Sequence, residues 1–156
     1  RVLERQRASG GWDRLLVPGH CYCDPPRHTG NAGFMVGILL GGLERDHQAT
    51  GDRRVVRALV RAAGYCIDAM WVPEKSAFRY TSCPHSSVGG GADMRILKGV
   101  AAAYRFSGEE RFRQVLLEGV RSAMVGRRVR AHRGVGKSIC SLMRGARQVL
   151  VGLPEE

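Results

Sequence analysis

The chain has 156 residues, of which 25 are Lys or Arg and 14 are Asp or Glu, so its formal net charge is +11. This length suits one domain or a piece of a larger one. Apolar residues make up 44% of the chain, enough for a core, and this excludes wholesale disorder. No apolar run approaches the roughly 20 residues that span a bilayer. Five Cys are too few, and odd in number, for a disulfide-framed fold.

The basic charge does not by itself indicate a nucleic-acid partner. Only three of the basic residues are Lys, and the rest are Arg. The densest group, within residues 121–133, has no aromatic side chain between the charges on which a base could stack. We therefore predict a solvated basic surface, or an acidic neighbour, and no nucleic acid. Residue 1 is Arg, so we expect a fragment of a longer chain whose remainder packs against it, and localisation stays open.

The pattern of turn residues and helical periodicity predicts the following elements in chain order. Residues 1–27 are rich in Gly and Pro and are predicted to be irregular. Residues 73–91 form a second loop, with a short extended piece at 78–81. Apolar spacing of three and four residues, bounded by breakers, predicts the helices. They cover Asn31–Gln48, Asp52–Met70, Asp93–Phe106, Glu110–Met124 and a last helix at residues 136–152.

An internal repeat is the strongest signal in the sequence. A shift of 57 positions places Thr50-Gly51-Asp52 on Ser107-Gly108-Glu109 and keeps the apolar register on both sides. A small residue, Gly and an acidic residue suit the end of one helix and the start of the next. We therefore predict that residues 28–156 form helical hairpins, with repeats at about 31–72 and 88–125, and an all-α fold class.

Two motifs carry a resemblance to a known superfamily. His28-Thr29-Gly30-Asn31-Ala32-Gly33-Phe34 and Ala49-Thr50-Gly51-Asp52 are similar to the hairpin repeats of six-hairpin glycosidase-like proteins. That superfamily includes glycoside hydrolases and heparinase II/III-type polysaccharide lyases. The resemblance implies part of an α/α toroid, a carbohydrate ligand, and a sugar cleft lined by residues 20–33 and 78–95. It favours a hydrolase over a lyase, and the alternative is a non-catalytic helical scaffold that binds a protein partner.

The side chains in those two segments supply the candidate sugar site. Asp24, His28 and His85 are the candidate catalytic acids or bases. The candidate substrate-binding residues are Tyr22, Asn31, Arg79 and Tyr80. His28 and Asn31 also have a structural interpretation, because both lie at the start of the most apolar helix and could cap it.

The cysteines leave three interpretations open. Cys21 and Cys23, with Cys83 and His85, form a low-ranked candidate zinc set of soft ligands. The alternatives are disulfides, or unlinked thiols packed under the loops. The spacing within each pair is tighter than usual, so the sequence favours unlinked thiols and predicts no metal and no cofactor. Cys66 and Cys140 lie on predicted helices and are expected in the core. Residues 131–138 loosely match a phosphate loop, but no buried strand precedes them, so nucleotide binding is rejected.

Overall fold

A computed structural model describes residues 1–89 and 93–125 of the chain. Four helices dominate it, and each begins and ends within two residues of its predicted bounds. They are α1 (Gly33–Thr50), α2 (Arg53–Met70), α3 (Asp93–Ser107) and α4 (Glu110–Val125). The helix predicted at residues 136–152, Cys140, and the loop at 131–138 lie outside the described residues.

The two hairpin turns have the same atomic structure, which explains the 57-residue repeat. Gly51 adopts a φ of 69° and its N–H donates to the His47 carbonyl at 2.7 Å. Gly108 adopts a φ of 68° and its N–H donates to the Tyr104 carbonyl at 2.8 Å. In each turn the hydroxyl before the glycine accepts a hydrogen bond of 3.2 Å from the N–H after it. These pairs are Thr50 with Asp52 and Ser107 with Glu109.

Helix α3 packs against α1, α2 and α4, and small residues let the helices approach closely. A Cβ atom added at Gly99 of α3 would lie 2.4 Å from the Leu40 Cδ1 of α1, so no larger residue fits there. The core between the helices contains fully buried side chains from every helix. The largest are Leu40, Leu59, Met70, Ile96, Leu97, Phe112 and Leu116.

Two small antiparallel sheets accompany the helices. Strand β1 (Arg14–Leu15) pairs with β2 (Thr29–Gly30), and β3 (Trp71–Val72) pairs with β4 (Ala77–Phe78). The predicted all-α fold class, with hairpins forming part of an α/α toroid, is therefore wrong, because the described chain is mixed α and β. The sequence does not reveal these strands because two residues are too few to show an alternating pattern.

The chain before α1 and the α2–α3 connection are joined by hydrogen bonds. The Gly33 N–H donates to the Tyr80 carbonyl at 2.8 Å, and the Ser82 N–H donates to the Asn31 carbonyl at 3.0 Å. The segments that the resemblance placed together, residues 20–33 and the described part of 78–95, thus lie side by side. None of the helices in the described ranges has the length and apolar character needed to cross a membrane, as the sequence predicted.

Candidate metal centre

Four potential metal ligands converge where these two segments meet. They are the sulfur atoms of Cys21, Cys23 and Cys83 and a ring nitrogen of His28, and all four atoms lie within 4.8 Å of one another. The His28 Nδ1 lies 3.5 Å from the Cys21 Sγ, 3.4 Å from the Cys23 Sγ and 3.6 Å from the Cys83 Sγ. One nitrogen is therefore almost equally distant from three sulfurs.

These distances fit a tetrahedral metal ion. Zinc binds thiolate sulfur at about 2.3 Å and imidazole nitrogen at about 2.0–2.1 Å, so a tetrahedron places ligand nitrogen and sulfur about 3.6 Å apart. The three nitrogen–sulfur distances, 3.4–3.6 Å, match that edge. A tetrahedral zinc site also places its sulfurs about 3.8 Å apart, and the sulfurs of this cluster lie within 4.8 Å of one another.

Strand pairing brings together the three ligands that come from one short stretch of chain, Cys21, Cys23 and His28. The β1–β2 ladder folds residues 14–30 back on themselves, and the Leu16 N–H donates to the His28 carbonyl at 2.9 Å. The Cys21 N–H donates to the Val17 carbonyl at 2.8 Å, so Cys21 ends a tight turn. Leu16 is fully buried and packs with Cys21 and Cys83 in a small apolar cluster that is separate from the helical core.

The fourth ligand comes from a closed turn in the α2–α3 connection. The Ser86 N–H donates to the Cys83 carbonyl at 2.9 Å, and the Cys83 N–H donates to the Thr81 hydroxyl at 3.3 Å. Cys83 is fully buried, as Thr81 is. Hydrogen bonds on both sides of Cys83 therefore fix the direction from which its sulfur reaches the centre.

The surroundings of Cys21 favour a thiolate. Burial opposes ionisation, but hydrogen bonds from the backbone N–H of Cys23, the His28 side chain, and the N–H groups of His28 and Arg27 outweigh it. Together they lower the pKa of Cys21 to about 5. Burial and the neighbouring sulfurs of Cys21 and Cys83 raise the pKa of Cys23. Three sulfurs this close repel one another as thiolates, and a divalent cation between them would relieve that repulsion.

Cys66 provides a contrast within the same chain. It is fully buried in the helical core, and burial alone raises the pKa of its thiol. This is the behaviour of a core cysteine, as the sequence predicted for this position. Cys21, Cys23 and Cys83 differ from Cys66 because their sulfur atoms lie close to the His28 ring and to one another.

The arrangement suits a closed, structural site. Three sulfurs and one nitrogen supply four ligands, which fills a tetrahedral shell and leaves no open position for a substrate. Soft thiolates with imidazole select zinc over magnesium or calcium, which prefer oxygen ligands. Because all four atoms lie within 4.8 Å of one another, the geometry suits a single ion.

The candidate sugar-site residues have different surroundings in the structure. His28 belongs to the sulfur cluster, whereas Asn31 is buried and donates hydrogen bonds to Asp13 at 2.8 Å and to the Tyr65 hydroxyl at 3.0 Å. Arg79 donates to the Pro84 carbonyl at 2.8 Å, and Tyr80 stacks on the Phe34 ring. The exposed candidates are Tyr22, Asp24 and His85.

The histidine in the cluster is His28 rather than the His85 of the sequence-based set. The His85 ring is exposed, with its centroid 6.3 Å from that of His28. One signal was available: Cys21, Cys23 and His28 lie within eight consecutive residues, as zinc ligands from one loop often do. Asp13 and Tyr65, which anchor Asn31, carried no sequence signal because they are far apart in the chain.

No protein-family model, curated protein or solved structure matches this chain.

Proposed function

We propose that the chain contains a zinc-stabilised helical domain, in which one Zn²⁺ is bound by Cys21, Cys23, His28 and Cys83. The observation that carries this proposal is the His28 Nδ1, which lies 3.4–3.6 Å from all three sulfurs. The ion is structural, because four protein ligands fill its shell. It joins the segment before α1, which contains His28, to the α2–α3 connection, which contains Cys83. These two ligands are 55 positions apart in the chain.

Zinc binding is tested on the full chain, purified under reducing conditions. We expect one equivalent of zinc, and tetrahedral thiolate bands in the visible and near-ultraviolet spectrum when Co²⁺ replaces it. Cys83→Ser and His28→Ala each remove a ligand, so zinc affinity should fall by more than about 100-fold, beyond the loss typical of an outer-shell residue. Affinity is measured by competition with a chromophoric chelator.

Two matched variants control for general damage. Cys66→Ser alters a cysteine of the helical core, and His85→Ala removes the neighbouring exposed ring. Both should bind one equivalent of zinc with affinity within about threefold of the wild type, because neither loses a ligand. The proposal is wrong if the wild type binds no zinc, or if His85→Ala loses the metal and His28→Ala keeps it.

A second candidate function is carbohydrate binding at an aromatic surface beside this centre. The Tyr80 ring stacks on Phe34, with centroids 5.9 Å apart and planes at 19°, and contacts the His20 ring at 5.8 Å. The Arg14 guanidinium donates to the His20 Nδ1 at 3.1 Å and adds a charged donor. Clustered rings with an adjacent donor suit a sugar ring, whose apolar face packs on aromatic side chains.

Sugar binding is tested by titrating a panel of polysaccharides against the zinc-loaded protein. Tyr80→Ala should weaken binding at least about tenfold if that ring forms the platform. The control is Phe106→Ala, since Phe106 also contacts a histidine ring, His47 at 5.1 Å, but at the other end of α1. Equal affinity in both variants, or no binding by the wild type, contradicts this candidate.

A further inference from the structure

Thr81 lies between the two ligand-bearing segments and is completely buried. It precedes Cys83 by two residues, and it pairs through an isolated backbone bridge with Ala32, just before α1. A buried hydroxyl group is costly unless it is hydrogen-bonded. The partners of this hydroxyl therefore indicate why a polar residue occupies the position.

The Thr81 hydroxyl joins the backbones beside two ligands. Its Oγ1 donates to the His20 carbonyl at 2.8 Å, a contact between residues 61 positions apart. The same oxygen accepts a hydrogen bond of 3.3 Å from the Cys83 N–H. The His20 carbonyl belongs to the peptide bond that leads into Cys21. One oxygen atom thus connects the peptide before Cys21 to the amide of Cys83.

The rest of Thr81 is fixed as well. Its backbone N–H donates to the Ser86 hydroxyl at 2.9 Å, and Ser86 is itself 4% exposed. The Ser86 N–H donates in turn to the Cys83 carbonyl at 2.9 Å. The turn that carries Cys83 is therefore closed by its own hydrogen bonds, and the Thr81 hydroxyl attaches this closed turn to the Cys21 segment.

We propose that Thr81 is a positioning residue of the metal centre, whose hydroxyl sets the distance between Cys21 and Cys83. This inference rests on the proposed zinc site. Outer-shell groups that orient ligands contribute to metal affinity although they do not touch the metal. Holding the two segments together in the metal-free protein lowers the ordering cost that binding would otherwise carry.

Three variants separate the hydroxyl from the methyl group of the Thr81 side chain. Thr81→Ser keeps the hydroxyl and loses the methyl, Thr81→Val does the reverse, and Thr81→Ala loses both. We expect zinc affinity within about threefold of the wild type for Thr81→Ser, and about 10- to 100-fold weaker for Thr81→Val and Thr81→Ala. Thr50→Val is the control, because the Thr50 hydroxyl also donates to a carbonyl and accepts from an N–H, but in the α1–α2 turn. Its zinc affinity should not change.

The Co²⁺ spectrum distinguishes positioning from ligation. At saturating Co²⁺, all Thr81 variants should show the wild-type bands, because the four ligands are intact. The proposal is overturned if zinc affinity falls with the loss of the methyl group rather than of the hydroxyl. It is also overturned if Thr81→Ser and Thr81→Ala bind zinc with equal affinity. If Thr81→Val loses its helical circular dichroism, the zinc affinities of Thr81→Ser and Thr81→Ala are compared instead, because these two variants differ only by the hydroxyl oxygen. A wild type without zinc refutes the metal site itself, whereas a wild type with zinc and unchanged Thr81 variants refutes only this inference.

Discussion

Gly51 and Gly108 each end a helix in the left-handed region, with φ values of 69° and 68°. A Cβ atom at either position would meet nothing within 4 Å, so only the backbone conformation resists a side chain there. Gly42 also has open space around it, but it lies inside α1 with helical backbone angles. These three residues therefore isolate the effect of φ on stability.

We predict opposite effects of alanine at these glycines. Gly51→Ala and Gly108→Ala should each lower the free energy of unfolding by about 1 kcal/mol, because L-residues adopt positive φ with strain. Gly42→Ala should raise it by about 0.5–1 kcal/mol, because alanine loses less backbone entropy in a helix. Urea denaturation of the zinc-loaded protein measures all three. Destabilisation by Gly42→Ala would contradict the role that we assign to backbone conformation. Unequal losses at Gly51 and Gly108 would show that the two turns are not equivalent.

At the scale of elements, the sequence predicts helices well because long segments carry a period. In α2, Leu59, Ala63 and Met70 are buried while Arg57 and Arg61 are exposed, as the helical spacing required. Helix α1 does not show such a division. Its sequence has apolar residues on nearly all sides, a pattern typical of a buried helix, yet Met35 is 46% exposed and Ile38 is 56% exposed. Among the described helices α1 packs against α2 and α3, so part of its apolar surface faces away from them.

The candidate centre could be predicted only in part, because its elements are too short to have a period. The sequence grouped Cys21, Cys23 and Cys83 as possible zinc ligands but ranked unlinked thiols higher. It paired Cys83 with His85 because both lie in one loop. The choice of His28 depends on the β1–β2 ladder, which brings His28 back to Leu16, and two-residue strands leave no pattern from which to predict that pairing.

At the scale of the molecule, the described residues form two apolar clusters of unequal size. The helical core contains side chains from α1 to α4, whereas Leu16, Cys21 and Cys83 form a separate small cluster with Cys23. A cluster this small buries little apolar area, and hydrophobic stabilisation scales with that area. The residues around the candidate centre therefore depend on hydrogen bonds and, as we propose, on the metal, whereas the helices stabilise one another directly.

Chelation of the metal should therefore loosen one part of the protein and spare the other. At free zinc about 1,000 times the Kd, binding stabilises the folded site by about 4 kcal/mol, which corresponds to a protection factor of about 1,000. On removal of zinc, we expect amide hydrogen exchange to accelerate by up to that factor in residues 14–30 and 77–88. Helices α1 and α2 should keep their protection, and the helical circular dichroism should change little.

The Cys83→Ser variant is the control for this experiment, because a protein that has lost a ligand should not respond to the chelator. Two outcomes contradict the expected division of the molecule. If chelation melts the helices together with the loops, the two clusters form one cooperative unit, and the metal stabilises the whole described fold. If exchange in residues 14–30 and 77–88 is unchanged, hydrogen bonds such as those of Thr81 hold the loops without a metal. The second result would also remove the structural role that we assign to zinc.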